Sequence, residues 1–233
     1  MILDLQIEIE CLFFIYSFLN FIVMAKFNSY LLGKVTKSVG NVTMCYMNKQ
    51  NIARAKIFSR KDNPTPEVLT QRAKMKALIE LSRWLLPVVQ KGFRGIGSGT
   101  TSNAFVSLNM GCVSVDEDYA VTVDYARMLV AAGIRNTPKV SVTYDSDASK
   151  YAFVQEAEEA EEGYAAGDDL VYAVLYETEV QRARLVALRV RGEGGSTSYA
   201  LPENWSAENV KAYCFAMKKG GKVCSNSVSL TVG

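Results

Sequence analysis

The tightest constraint on the fold is the segment Asn63-Pro64-Thr65-Pro66 and the run that follows it. Pro66 suits a first helical position, where the donor it lacks would be unpaired anyway, and Thr65 is placed to cap free backbone N–H groups. Apolar residues then recur at helical spacing through Leu69, Met75, Leu78, Ile79, Leu81, Leu85, Leu86, Val88 and Val89. Gln71, Arg72, Lys74, Lys76, Glu80 and Arg83 occupy the other side. This predicts a helix from Pro66 to about Lys91, packed on one face, that Pro87 kinks or splits by removing the bond to the Arg83 carbonyl. Glycines at 92, 95, 97 and 99 end it.

The flanking sequence reads as strands. Residues 26–60 alternate apolar and polar positions around turns at Gly33 and Gly40, giving a small, twisted, basic strand or hairpin region. After an apolar segment from Asn103 to Val115, strands are expected at 119–124, 126–131, 140–144, 170–176, 183–190, 210–217 and 222–232. The glutamates of Gln155–Glu162 make an acidic helical turn or mobile loop, and Trp205 should anchor the loop before the last hairpin. The expected class is α+β: a basic strand/helix region over residues 24–110, then a C-terminal immunoglobulin-like β-sandwich over 111–233.

Charge is unevenly placed. Residues 24–94 carry 14 Lys plus Arg against 3 Asp plus Glu, while 95–233 carry 12 against 18. Such segregation points to a polyanionic or acidic partner for the basic part. The cations expected to meet it are Lys34, Lys37, Arg54, Lys56, Arg60, Arg72, Lys74, Lys76 and Arg83, with Phe27, Tyr30, Tyr46 and Phe58 interleaved either for stacking or as core. Nucleic-acid phosphates, the acidic part of the same chain and that of a neighbouring subunit all fit.

The absence of histidine removes Ser-His-Asp and Cys-His nucleophiles, His-containing zinc sites and the usual near-neutral base. No catalytic residue and no cofactor are expected. Five cysteines without a C-x-x-C pair suggest reduced thiols, and strand alternation sets Cys214 and Cys224 on opposite faces. The glycine loop 95–102 follows a helix and contains no lysine, unlike a P-loop. Asp145, Asp147, Ser149 and Glu156 have the oxygen spacing of a calcium loop, but Lys150 stands where that loop needs glycine, so they are only weak metal candidates and read as a solvated acidic turn.

Residues 11–23 form an apolar run of 13, short of the ~20 that span a bilayer, with an acidic flank. Residues 1–23 read as translated upstream sequence before a start at Met24; a membrane anchor is the alternative.

Three stretches together, Gly33-Lys-Val-Thr-Lys-Ser-Val-Gly40-Asn41-Val42, Asn63-Pro64-x-Pro66 with Gln71-Arg72-x-Lys74, and Leu201-Pro-x-Asn-Trp205 with Val210-x-x-Tyr213-x-Phe215 and Ser225-x-Ser227-x-Ser229, resemble a family of uncharacterised Bacteroidetes proteins, domain of unknown function 6266. The helix start is also similar to one found in small phage and prophage virion proteins. That resemblance implies a non-enzymatic assembly component, forming homo-oligomers or meeting other assembly subunits, cytoplasmic or virion-associated. A nucleic-acid-binding protein using residues 26–94 and a surface adhesion module are the alternatives.

Overall fold

A computed structural model describes residues 24–29, 31–56 and 62–233. The reading of residues 1–23 and the cation Arg60 lie outside the described residues. Residues up to Asn63 and residues from Pro64 onward form two compact units. The division between them falls before the long helix, whose buried side belongs to the core of the second unit.

The first unit is a four-stranded antiparallel sheet. Its strands β1 (Met24–Phe27), β2 (Lys37–Val39), β3 (Val42–Met47) and β4 (Gln50–Ala55) lie in the order β1-β4-β3-β2. Gly40, at φ +57°, supplies the left-handed turn between β2 and β3. Asn48 and Lys49, both at positive φ, turn β3 into β4. Among its described residues only Asn51 and Ile52 are buried, while Leu31, Leu32, Val39 and Met47 are exposed. Among the described residues the sheet thus has little core of its own.

The second unit begins with α1 (Pro66–Trp84), breaks at Leu85, and continues as α2 (Leu86–Gly92) with Pro87 in its first turn. Proline thus splits the helix as its chemistry requires. Two details differ from the sequence expectation. Thr65 occupies the N-cap but its hydroxyl accepts from no backbone N–H of the first turn; it instead helps hold the Glu67 carboxyl below the usual range. Leu78, Leu81, Leu85, Val88 and Val89 are buried, whereas Met75, Ile79 and Leu86 are exposed, so the apolar stripe is wider than the face that packs. A further helix, α3 (Thr101–Asn109), is capped by Thr100 Oγ1, which accepts from Asn103 N at 3.2 Å.

The centre of this unit is an antiparallel sheet of β9 (Leu170–Glu177), β10 (Arg182–Val190), β12 (Val210–Met217) and β13 (Val228–Leu230), in the order β10-β9-β12-β13. β9 and β12 are covered on both faces, which is why they read as near-continuous apolar runs. On one face Val174, Tyr176, Tyr213, Phe215 and Met217 pack with the helical residues Leu78, Leu81, Val88 and Phe105 and with Phe93, just after α2. On the other, Ala173, Leu175 and Ala212 pack with Val142, Tyr151, Phe153 and Trp205. The last group comes from a three-stranded sheet, β11-β8-β7, built of β7 (Val140–Asp145), β8 (Lys150–Gln155) and β11 (Gly195–Ala200), and from the loop Trp205 anchors. A small ribbon, β5 (Val113–Val115) with β6 (Val121–Val123), completes the set. The chain is α+β, with three helices and several antiparallel sheets among the described residues.

Residues 126–131 are not a strand although they form a short, largely apolar run like one. Their backbone is held by side chains: Asn109 accepts from Leu129 N at 2.7 Å and donates to Leu129 O at 2.9 Å, and Ser227 Oγ accepts from Val130 N at 2.8 Å. Likewise 222–232 is a strand only over β13, since Ser225 and Ser227 spend their groups on Ala216 and Ala131. Cys214 and Cys224 do face opposite layers, the first near Pro138 O and the second near Lys91 O.

Candidate interaction surfaces

The cations of the first unit stand on both faces of its sheet. Register places Lys26 beside Ile52 and Cys45, and Arg54 beside Thr43, so these two share a face. Lys37, opposite Met44, lies on the other, where Lys34 Nζ sits 5.2 Å from the centroid of the Tyr46 ring. Asn51 braces that side, accepting from Val35 N at 3.0 Å and donating to Gly33 O at 2.8 Å. Asn28, Ser29, Lys34, Tyr46 and Lys49 border a shallow polar hollow there. Lys56 follows β4, its N–H donating to Asn41 O at 2.7 Å.

The remaining predicted cations belong to the second unit. Arg72, Lys76 and Arg83 share the outward side of α1 with the exposed Met75 and Ile79, while Lys74 is half-buried. Eight of the nine cations singled out in the sequence are therefore distributed over two compact units, and Arg60 lies outside the described residues.

The calcium-loop residues are separated. Asp145 Oδ1 accepts from Asp147 N and Ala148 N at 3.0 and 3.2 Å, closing the β7–β8 turn. Glu156 follows the far end of β8, about 20 Å away at the usual strand rise. Among the described residues no group of three or more acidic, cysteine or histidine side chains is placed to hold a metal. The turn has another property: Leu201 N donates to Ser149 O, Tyr151 Oη to Ala207 O, and Thr178 N to Asn209 O. These bonds gather exposed Asp145, Asp147, Glu179, Glu203 and Glu208 at one end of the second unit, bordered by Lys150 and Arg182.

At the opposite end lies a buried charge network that no sequence spacing announces. Arg135 donates to Asp169 Oδ2 through Nε at 2.9 Å and Nη2 at 2.7 Å. Arg191 Nε stands 3.4 Å from the same oxygen, Arg191 Nη2 donates to Asn136 O at 2.5 Å, and Nη1 meets Glu158. Glu158 also accepts from Lys139 N at 2.5 Å, and Asn136 Nδ2 donates to Glu161 at 2.6 Å. The acidic segment 155–162 is thus tied down rather than free.

Residues 33–231 match a family model of unknown function, DUF6266. The chain belongs to that family. The DUF6266 region takes in β2–β4 of the first unit and nearly all of the second, so Lys34, Lys37, Arg54 and the α1 cations lie within it and Lys26 precedes it. No curated protein and no solved structure matches the chain. Among the described residues no helix is long and apolar enough to cross a membrane.

Proposed function

We propose that this DUF6266 chain is a non-enzymatic structural protein whose copies associate head to tail, the basic sheet of one meeting the acidic end of the second unit of the next. The observation that carries this reading is the first unit itself: a four-stranded sheet with cations on both faces, two buried residues among those described, and Leu31, Leu32, Val39 and Met47 exposed. Exposed apolar groups rimmed by charge suit a surface completed by another molecule. Asp145, Asp147, Glu179, Glu203 and Glu208 offer the opposite sign. A contact between two different surfaces repeats into a ring or filament.

Placement in a prophage virion, with a cytoplasmic or particle-associated location and a Bacteroidetes source, rests on the similarity of the helix start and of the family stretches. The two sheets sharing a core support the sandwich part of the fold expectation; the helical layer on the outer face of β9 and β12 has no counterpart in an immunoglobulin-like sandwich.

The second reading is nucleic-acid binding by the first unit, favoured by Lys34 on the Tyr46 ring beside Lys37 and Lys49. Lys26→Glu with Arg54→Glu separates the two. Head-to-tail assembly predicts loss of higher oligomers on light scattering with no dependence on added DNA. Duplex retardation by the wild type, weakening with salt by a slope of about −0.9 per phosphate neutralised, with an unchanged monomer throughout, favours the second reading and ends the first.

A further inference from the structure

The end of the second unit that holds Arg135 and Asp169 is bipolar. β12 ends at Met217 and β9 begins at Leu170, its partner across the ladder, so the loops 218–223 and 156–169 emerge together. On the helical side, Arg94 Nη1 donates to Gly221 O at 3.3 Å, joining the end of α2 to the Lys218-Lys219-Gly-Gly-Lys222 turn. Arg94, Lys218, Lys219 and Lys222 are exposed there, with Lys91 half-buried over the Tyr172 ring at 4.3 Å. On the side of the three-stranded sheet, Glu156, Glu159, Glu161, Glu162, Asp168 and Glu193 are exposed. Lys219 Nζ and Asp168 Oδ2, 3.8 Å apart, mark the border between the two lips.

An apolar centre separates the lips. Arg135 N donates to Cys224 O and Asn136 N to Tyr164 O, both at 3.1 Å, so residues 133–136 run from the cationic loop to the acidic one. Ile134 is 72 % exposed on this bridge, and Tyr164 is 51 % exposed beside it. The buried ion pairs beneath hold the surface in place: Arg135 and Arg191 both bear on Asp169, and Arg191 holds Glu158.

We infer that this end is a two-fold interface between copies of the chain, the cationic lip of each resting on the acidic lip of the other around Ile134 and Tyr164. A two-fold contact brings one patch against itself, so the patch must be self-complementary, and a surface with adjacent lips of opposite sign meets that condition. An apolar centre with a charged rim is the ordinary anatomy of a protein interface. A nucleic acid fits less well, because the cations share this end with six exposed carboxylates, of which Asp168 lies 3.8 Å from Lys219, and these repel phosphate. Lys139 and Arg189 border the acidic lip without matching it in number. This contact does not depend on the head-to-tail reading, which uses the first unit and the other end.

The test is a charge swap in the full chain carrying Lys26→Glu and Arg54→Glu, which reverses the two cations that share one face of the first-unit sheet. One variant adds Lys218→Glu, Lys219→Glu and Lys222→Glu; a second adds Glu159→Lys, Glu162→Lys and Glu193→Lys. All six positions are exposed, and unchanged melting curves would show both variants folded. The background chain should sediment as a dimer. Each variant alone should associate roughly 100-fold more weakly, since like charges then face each other across the axis, and an equimolar mixture should form a heterodimer. Equal self-association of background and variants, failure of the mixture to dimerise, or DNA binding abolished by the lysine reversals with no change in self-association would each overturn the proposal. Ile134→Arg, at the centre, should weaken the dimer comparably; an unaffected dimer would also overturn it.

Discussion

Arg135 and Asp169 meet in the interior of the second unit as an ion pair in which two guanidinium nitrogens, at 2.9 and 2.7 Å, converge on one carboxylate oxygen. Both side chains are nearly inaccessible, and Arg191 approaches the same oxygen at 3.4 Å. Asp169→Asn leaves two buried cations facing a neutral amide, and truncating one partner of such a set costs about 3–5 kcal/mol. Urea unfolding should show that loss. Replacing Asp169, Arg135 and Arg191 together with apolar residues should lose less than Asp169→Asn alone; the reverse order would contradict the account of this network.

Asn109 stands in for a strand partner. It is fully buried, donates to Phe105 O and Leu129 O, and accepts from Leu129 N. Asn109→Ala should cost about 3 kcal/mol, at ~1 kcal/mol for each lost bond. Hydrogen exchange at Leu129 should accelerate in parallel.

Gly133 and Gly111 should respond oppositely to alanine. A Cβ on Gly133 would lie 2.0 Å from the Cys224 carbonyl oxygen, a backbone atom that cannot swing away, whereas nothing lies within 4 Å of one on Gly111. Gly133→Ala is expected to unfold the second unit or lower its melting temperature sharply. Gly111→Ala should stay within about 0.5 kcal/mol of wild type in the same assay, as ordinary surface changes do.

Burial pushes the Cys214 thiol up to about 12 and the Cys224 thiol up to about 11, from 9.0. The Tyr151 phenol rises to about 12 for the same cause. Above pH 9 the unfolded chain has lost thiol protons that the folded chain retains, so stability falls as pH rises through the window from 9 to about 12. Urea midpoints should decline across that window, and Cys214→Ala should flatten the decline. Native Cys214 should also react with thiol reagents far more slowly than the half-buried Cys45.

Parts of this fold are plain in the sequence because local chemistry decides them. Pro66 and Pro87 set the start and the break of the helical segment, and the apolar runs of β9 and β12 mark strands covered on both faces. Other parts depend on distant partners. Residues 126–131 are a short apolar run like a strand but are bonded by Asn109 and Ser227, 20 and 97 residues away along the chain at Leu129 and Val130. β8 hides in a segment whose oxygen spacing imitates a calcium loop, and β11, Gly195–Ala200, has the composition of a turn. The charge segregation locates the basic first unit, but the α1 cations share a compact unit with the acidic residues. The convergence of Arg94 with Lys218, Lys219 and Lys222 joins segments 127 residues apart at Arg94 and Gly221, which no charge count along the chain can register.

The central claim is that this DUF6266 chain assembles through charged surfaces of opposite sign. Light scattering on the purified full chain, across protein concentration and ionic strength, tests it most directly. The account predicts an oligomer of defined size that falls apart as salt shortens the screening length below ~8 Å. A monomer at every concentration and salt, or an oligomer indifferent to salt, would contradict it.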